Sequence, residues 1–248
     1  LHNIFKKVYK RHTNFSMESI RATFDGTGDF GERIVVAIPR NGDLIHKVYV
    51  TLETGAASTG VRKGSSLVNE VELEIGGQLI DRQYKEWMQI WNELSTPESK
   101  AHALKAMQGD IGINGGDLTQ NKACVSKIQV PLLFWFCRNP GLALPLIALQ
   151  YHEVKLKFTW SATAGVVSTS PVVVADYIYL DTDERRRFAQ VSHEYLIEQV
   201  QEQSLPADDK DVVLNFNHPV KELIWSFGKG SGTNSLMAQS TTVLSLIH

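Results

Sequence analysis

Residues 70 to 75 read Glu-Val-Glu-Leu-Glu-Ile, so Val71, Leu73 and Ile75 alternate without a break with Glu70, Glu72 and Glu74. Successive side chains of a strand point to opposite faces, and this period of two describes a sheet with one buried face and one wet face. A helix would scatter both sets around its circumference. Similar β-type runs cover Phe15 to Phe24, Arg33 to Ile38, Leu44 to Leu52 and Leu67 to Ile75. They resume over Lys127 to Cys137, over Gln150 to Trp160, where Val154, Leu156 and Phe158 alternate, and over Val172 to Leu180. β-Branched and aromatic residues, which fit a pleated half-buried surface, are frequent in them.

Asp25-Gly26-Thr27-Gly28, Arg40-Asn41-Gly42-Asp43 and Gly76-Gly77 separate these runs, and Gly and Asn tolerate the positive φ of tight reversals. A helix is expected over Tyr84 to Leu94, where Trp87, Ile90, Trp91 and Leu94 recur at helical spacing before Pro97. Glu98 to Met107 reads as a second short helix, Gly109 to Gly116 and Ser161 to Ser170 as loops, and the prolines of Asn139 to Pro145 argue against a regular element. Many short strands and few helices predict an all-β sandwich or jelly roll. Its expected core faces are Val71, Leu73 and Ile75, then Leu133 and Trp135 or their alternates, then Val154, Leu156 and Phe158.

The order of segments at the start recurs near the end. Asn14 to Ile20, Ile34 to Pro39 and Leu44 to Tyr49 are echoed by Glu194 to Val200, Val212 to Asn217 and Val220 to Trp225. This suggests an internal duplication, with a second β domain opening near Ser192. Residues 228 to 248 are too few to complete eight further strands, so the second domain is expected to be incomplete.

Composition removes several function classes. With 25 Lys plus Arg against 27 Asp plus Glu, the formal charge of −2 creates no field that would draw in DNA phosphates or an anionic bilayer. Two cysteines, Cys124 and Cys137, exclude a disulfide framework and a four-thiolate zinc site within one chain; one bridge between them stays formally open, but two reduced buried thiols are expected, which suits the cytosol. The apolar run Val130 to Cys137 is far shorter than the ~20 residues of a spanning helix. The start, with no Met and the basic stretch Lys6 to Arg11, is expected to be a trimmed end and not a targeting peptide.

Apparent catalytic motifs fail on context. Gly26-Thr27-Gly28-Asp29-Phe30-Gly31 fits GxGxxG, but a β-branched run and not a helix follows, so a loop between strands is expected. His193-Glu194 begins like a zinc-protease motif, yet Ile197 stands where the second ligand belongs. His152-Glu153 is expected at a strand edge or interface, Asp181 to Arg187 as a solvated linker between domains, and the sequon at Asn14 starts a strand, where glycosylation is not expected. No nucleophile elbow or phosphate loop occurs in the sequence.

Five ordered blocks carry a family resemblance: Ile4 to Phe15; Arg40 to Ile45; Val71 to Asp81 with Trp87 beyond; Pro140 to Val154; and Asp176 to Thr182 through Arg187-Phe188-Ala189 and His193 to Gln199. Together they resemble the major capsid proteins of nucleocytoplasmic large DNA viruses, especially those infecting algae and protists. The resemblance covers most of residues 4 to 225, and Gly228 to His248 does not match. It implies a double jelly roll, two tandem eight-stranded β-sandwiches, with short helices in loops. On this pattern residues 1–12 form an N-terminal arm, 13–187 the first jelly roll and 188–248 the start of a second, incomplete one.

The same resemblance implies a structural protein and not an enzyme, with no catalytic, cofactor-binding or metal-binding residues and no cofactor. Its implied partners are two further copies in a pseudo-hexagonal capsomer, the neighbouring capsomers of an icosahedral shell, and minor capsid proteins. Lys6 to Arg11 is expected to touch internal proteins or an underlying membrane, and no specific nucleic-acid binding is expected. The implied location is the virion capsid, assembled in the host cytoplasm. A minor capsid paralogue, a lectin-like carbohydrate-binding sandwich and a β-sandwich hydrolase are the competing readings.

Overall fold

The computed structural model describes residues 12–25, 33–53, 64–109, 127–160, 171–206, 213–227 and 240–247. Two sheets form a sandwich. The first runs β1 (Phe15–Ala22), β10 (Val172–Leu180), β4 (Leu44–Glu53) and β7 (Lys127–Pro131), with β8 (Leu144–Pro145) also on β4. The second runs β2 (Phe24–Asp25), β3 (Arg33–Ala37), β9 (Val154–Trp160), β5 (Val68–Ile75) and β6 (Gln78–Tyr84). All pairings are antiparallel, and the chain crosses repeatedly between the two sheets, as in a jelly roll. A third sheet, β11 (Gln199–Pro206), β13 (Ser240–Ile247) and β12 (Val220–Phe227), lies beyond it in sequence. Helices are short: α1 (Gly64–Leu67), α2 (Lys85–Ser95), α3 (Glu98–Met107), α4 (Trp135–Arg138) and α5 (Thr182–Gln190).

One continuous core joins the two sheets. Ile34, Val36, Val71, Leu73, Leu156 and Phe158 from one face meet Val48, Val50, Leu52, Ile128, Val130, Val173 and Tyr177 from the other. Each large apolar side chain so buried contributes ~1.5–3 kcal/mol. The expected faces on β5 and β9 are therefore in place, with Ile75 only half-buried.

The opposite face of β5 is not simply wet. Glu72 is 6% exposed beneath Arg33 and Arg82, and Lys157 pairs with Glu74, so the glutamates form a cross-strand charge ladder. Burial raises the Glu72 carboxyl, but the charges of Arg82 and Arg33 outweigh it and hold the group below the usual carboxylate range.

β5 and β6 are joined by Gly76 and Gly77, both at positive φ, 60° and 84°. Two such residues form the hairpin turn whose twist matches the strands. A Cβ on Gly76 would also lie 2.6 Å from His152 Nδ1, whereas one on Gly77 would meet open space. Gly76→Ala is expected to cost about 1–3 kcal/mol and Gly77→Ala distinctly less; equal urea midpoints for the two variants would refute the steric part. Gly42, expected as a positive-φ turn residue, is not one. It is needed for space, since its Cβ would lie 2.7 Å from that of Tyr177.

Other expectations need correction. The run Lys127 to Cys137 is a strand only to Pro131; beyond it Phe134, Trp135 and Phe136 are all buried, a consecutive set that a strand cannot place on one face, and α4 forms instead. Leu132, Phe134 and Phe136 are the deeply buried positions, with Trp135 also buried and Leu133 only partly so. Asp181 to Arg187 is exposed as expected of a solvated linker, but it is helical. The Asp181 carboxylate caps the Thr182 N–H at 2.8 Å, Asp183 and Glu184 sit in the first turn and Arg187 in the last, the arrangement a helix dipole favours.

The proposed repeat is also only partly regular. β11 begins at Gln199, not Glu194, and 213–217 is not a strand. The side-chain amides of Gln203 and Gln201 accept from the N–H groups of Asn215 and Asn217, each at 3.0 Å, in place of a ladder partner. The unassigned tail supplies β13, which pairs with both β11 and β12. The arm of residues 1–11, the GxGxxG segment, both Gly/Ser-rich loops beyond Gly109 and Cys124 lie outside the described residues.

Candidate functional site: the joint between the sandwich and the C-terminal sheet

Chemistry-bearing side chains converge where β6 meets β11. Trp87 on α2 is fully buried, stacks on Trp91 with 5.2 Å between centroids, and packs with Val200 of β11 and Ile224 of β12. α2 presents this face because Trp87, Ile90 and Trp91 share one side of an amphipathic helix. The Arg138 guanidinium, at the end of α4, lies 4.6 Å from the Trp91 ring centroid, donates to Leu133 O at 3.0 Å and pairs with Glu198 at 2.5 Å. Glu198 also pairs with Lys221 on β12. Gln199 donates to Ile80 O.

Asp81 lies at the centre. Its Oδ1 accepts the N–H groups of Arg82 and Val200, both at 2.9 Å, and its Oδ2 accepts from Gln83 Nε2 at 3.3 Å. Burial pushes this carboxyl up to about 6, against the lowering pull of the Val200, Gln83 and Arg82 hydrogen bonds and the Arg138 charge. A cleft of about 380 Å³ opens beside it, lined in part by Tyr84, Phe216 and His218.

These groups orient backbone; they do not assemble a nucleophile, base and oxyanion donor. Among the described residues no three His, Cys, Asp or Glu side chains are grouped to hold a metal ion, and no helix is long and apolar enough to cross a membrane. The residues singled out from sequence lie elsewhere. His193 contacts Phe188 O at 2.8 Å and stacks on its ring. His152 and Glu153 line the turn before β9, where Arg40 holds the carbonyls of Gln150 and His152 and Glu153 O accepts from Gly76. Cys137 is a free thiol, pushed up to about 12 by burial.

Asp81 and Gln83 were missed because β6 was missed, whereas Arg138 on α4 and Glu198 ahead of β11 are joined only by the tertiary fold. Polar Asp81 and Gln83 occupy its inward positions while Arg82 and Tyr84 are half-buried, so the strand carries no apolar alternation. The Gly76-Gly77 turn was the usable signal, since a hairpin turn demands a return strand.

Residues 3–196 match the family described as major capsid protein N-terminus, and residues 184–244 match that of large eukaryotic DNA virus major capsid protein. The chain belongs to the major capsid protein family of large eukaryotic DNA viruses. It is 52% identical over 236 residues to the major capsid protein of Pyramimonas orientalis virus, covering 89% of this chain and 58% of the relative. It is 42% identical to that of Paramecium bursaria Chlorella virus 1, covering 89% and 54%. The fold is similar to the crystal structure of PBCV-1 VP54, with a TM-score of 0.77 at 41% identity over 90% of this chain and 58% of that one. The chain thus spans somewhat over half the length of these relatives. Their double jelly roll is present here as one two-sheet sandwich and a three-stranded portion of a second. The family match reaches residue 244, so the tail thought unrelated belongs to the pattern.

Proposed function

We propose that this chain is a shell-building subunit: three copies form a pseudo-hexagonal capsomer, and capsomers tile the icosahedral capsid of a large DNA virus. The observation that carries this is the match of the sandwich to PBCV-1 VP54 at a TM-score of 0.77. The protein works by shape, and its buried polar groups support that shape without any reaction. Residues 13–187 serve as the first jelly roll, residues 188–248 open the second, and the arm 1–12 lies at the capsomer base, with Lys6 to Arg11 against internal proteins or a membrane. The shell is put together in the host cytoplasm with minor capsid proteins as further partners, a setting in which Cys137 stays reduced.

Phe15 and Met17 support self-association. They lie on β1, at the edge of its sheet among the described residues, and are 65% and 52% exposed. An edge strand with exposed apolar side chains invites a partner. Obligate contacts of this kind bury on the order of 2,000 Å² or more per pair. Sedimentation of the purified full-length protein is expected to give a trimer, and electron microscopy a six-sided outline with three-fold symmetry. A monodisperse monomer at micromolar concentration would overturn the proposal.

A further inference from the structure

The edge of a sheet carries unpaired main-chain N–H and C=O groups, and a folded chain covers, shortens or interrupts such edges. Among the described residues, three of the four edges of the sandwich are treated in this way. β6 is bridged to β11 through the Gln199 and Asp81 side chains, β2 has only two residues, and β7 ends at Pro131 with α1 and α3 beside it. β1 is the exception. It runs for eight residues without Gly or Pro, and no described strand lies beyond it. Phe15, Ser16, Met17, Glu18 and Ser19 are all exposed, so both faces of this half of the strand are bare as well as its edge.

A second observation is a segment with the burial pattern of a strand but no partner. The chain leaves α5 in extended backbone at Val191, φ −92° and ψ 139°. His193, Tyr195 and Ile197 are then half-buried, while Ser192, Glu194 and Leu196 alternate with them and are exposed, Leu196 by 68%. The inward side chains fasten the segment to the sandwich: His193 meets Phe188 O, Tyr195 Oη donates to Ala143 O at 3.4 Å, and Ile197 packs on the main core. Yet among the described residues the main chain of Ser192–Ile197 belongs to no sheet and makes no backbone hydrogen bond. Its side chains hold it in place and leave its strand-pairing groups open.

We propose that the open edge of β1 in one copy pairs, as an added antiparallel strand, with Ser192–Ile197 of the next copy. This rests on the self-association proposed above and names its contact. Different elements on the two sides make a head-to-tail interface, which closes into a ring, as a three-fold capsomer needs; β1 against β1 would give a two-fold dimer instead. Setting Met17 opposite Leu196 joins two exposed apolar side chains. The same register puts Ser19 opposite Glu194 and Arg21 opposite Ser192, where Arg21 reaches Glu194 on the diagonal.

Cross-linking of the full-length protein is the direct test. Met17→Cys and Leu196→Cys are combined in one chain and treated with a short bis-maleimide, with each single variant as control. The double variant is expected to give covalent dimers and trimers, with the trimer as the largest species, and the single variants nothing beyond the parent. Met17→Lys and Leu196→Lys, both at exposed positions, are each expected to weaken trimerisation about tenfold or more in sedimentation. Met17→Lys combined with Leu196→Glu is expected to restore most of it, which separates a direct contact from a folding defect. A trimer whose double variant links no chains or links only within one chain would overturn this contact and leave self-association standing. Dimers from Met17→Cys alone, or lysine variants that trimerise like the parent, would do the same. A parent protein that stays monomeric would overturn both this contact and the reading beneath it.

Discussion

Replacing Trp87 with alanine is expected to destabilise the protein by about 3–5 kcal/mol, the usual result of deleting a large buried aromatic side chain. Trp87 is fully buried and packs at the joint against Val200 and Ile224 as well as its stacking partner Trp91. Its indole N–H is buried without a hydrogen-bond partner among the described residues, so the loss is almost entirely apolar contact and cavity. Since domains are stable by only about 5–15 kcal/mol, a loss of this size endangers folding. The C-terminal sheet, held through this cluster, should be released first. Denaturant unfolding, with limited proteolysis between Val191 and Gln199, measures both effects. A loss below about 1 kcal/mol would show that the cluster is not an anchor.

Arg138→Leu is expected to cost about 2–4 kcal/mol, because removing one partner of a largely buried pair strands the other. Both Arg138 and Glu198 side chains are 19% exposed, and the Lys221 pairing that Glu198 keeps, with a lysine 37% exposed, is worth at most about 1 kcal/mol. Arg138→Lys should recover little. An ammonium cannot donate through a planar fork while stacking on Trp91, as the guanidinium does here. Trp87→Ala and Arg138→Leu both disturb Trp91, so their combined effect should fall short of the sum. Strict additivity, or an Arg138→Lys protein as stable as the parent, would show that the arginine acts independently of the ring. Thermal unfolding of the four proteins supplies the cycle.

The Arg138 prediction falls where sequence reading was least informative, whereas Trp87 lies on a helix that the sequence shows. β5, α3 and β10 were legible because each is locally self-consistent. β5 alternates, α3 starts after Pro97, and β10 is rich in β-branched residues. α2 was legible from its aromatic spacing, one residue out at each end. By contrast β6 has polar side chains on its inward positions, which are acceptable only because β11 supplies the Val200 N–H to Asp81. α4 follows from the burial of three consecutive aromatic residues, a demand set by the surrounding core. α5 was the avoidable error, since its cap and charge order are local signals already present in the sequence. β13 had no legible partner, because the strands it joins, β11 and β12, both precede it in the chain.

The sequence by itself determined the all-β class, most strand positions and the family, because alternation, turn residues and ordered blocks are properties of neighbouring residues. Only tertiary structure decided the joint. Asp81 and Val200 are 119 positions apart, and Arg138 and Glu198 are 60 apart. Whether a polar residue ends up buried with its partners or exposed to water depends on which distant backbone groups the fold brings to it, and no local pattern carries that information.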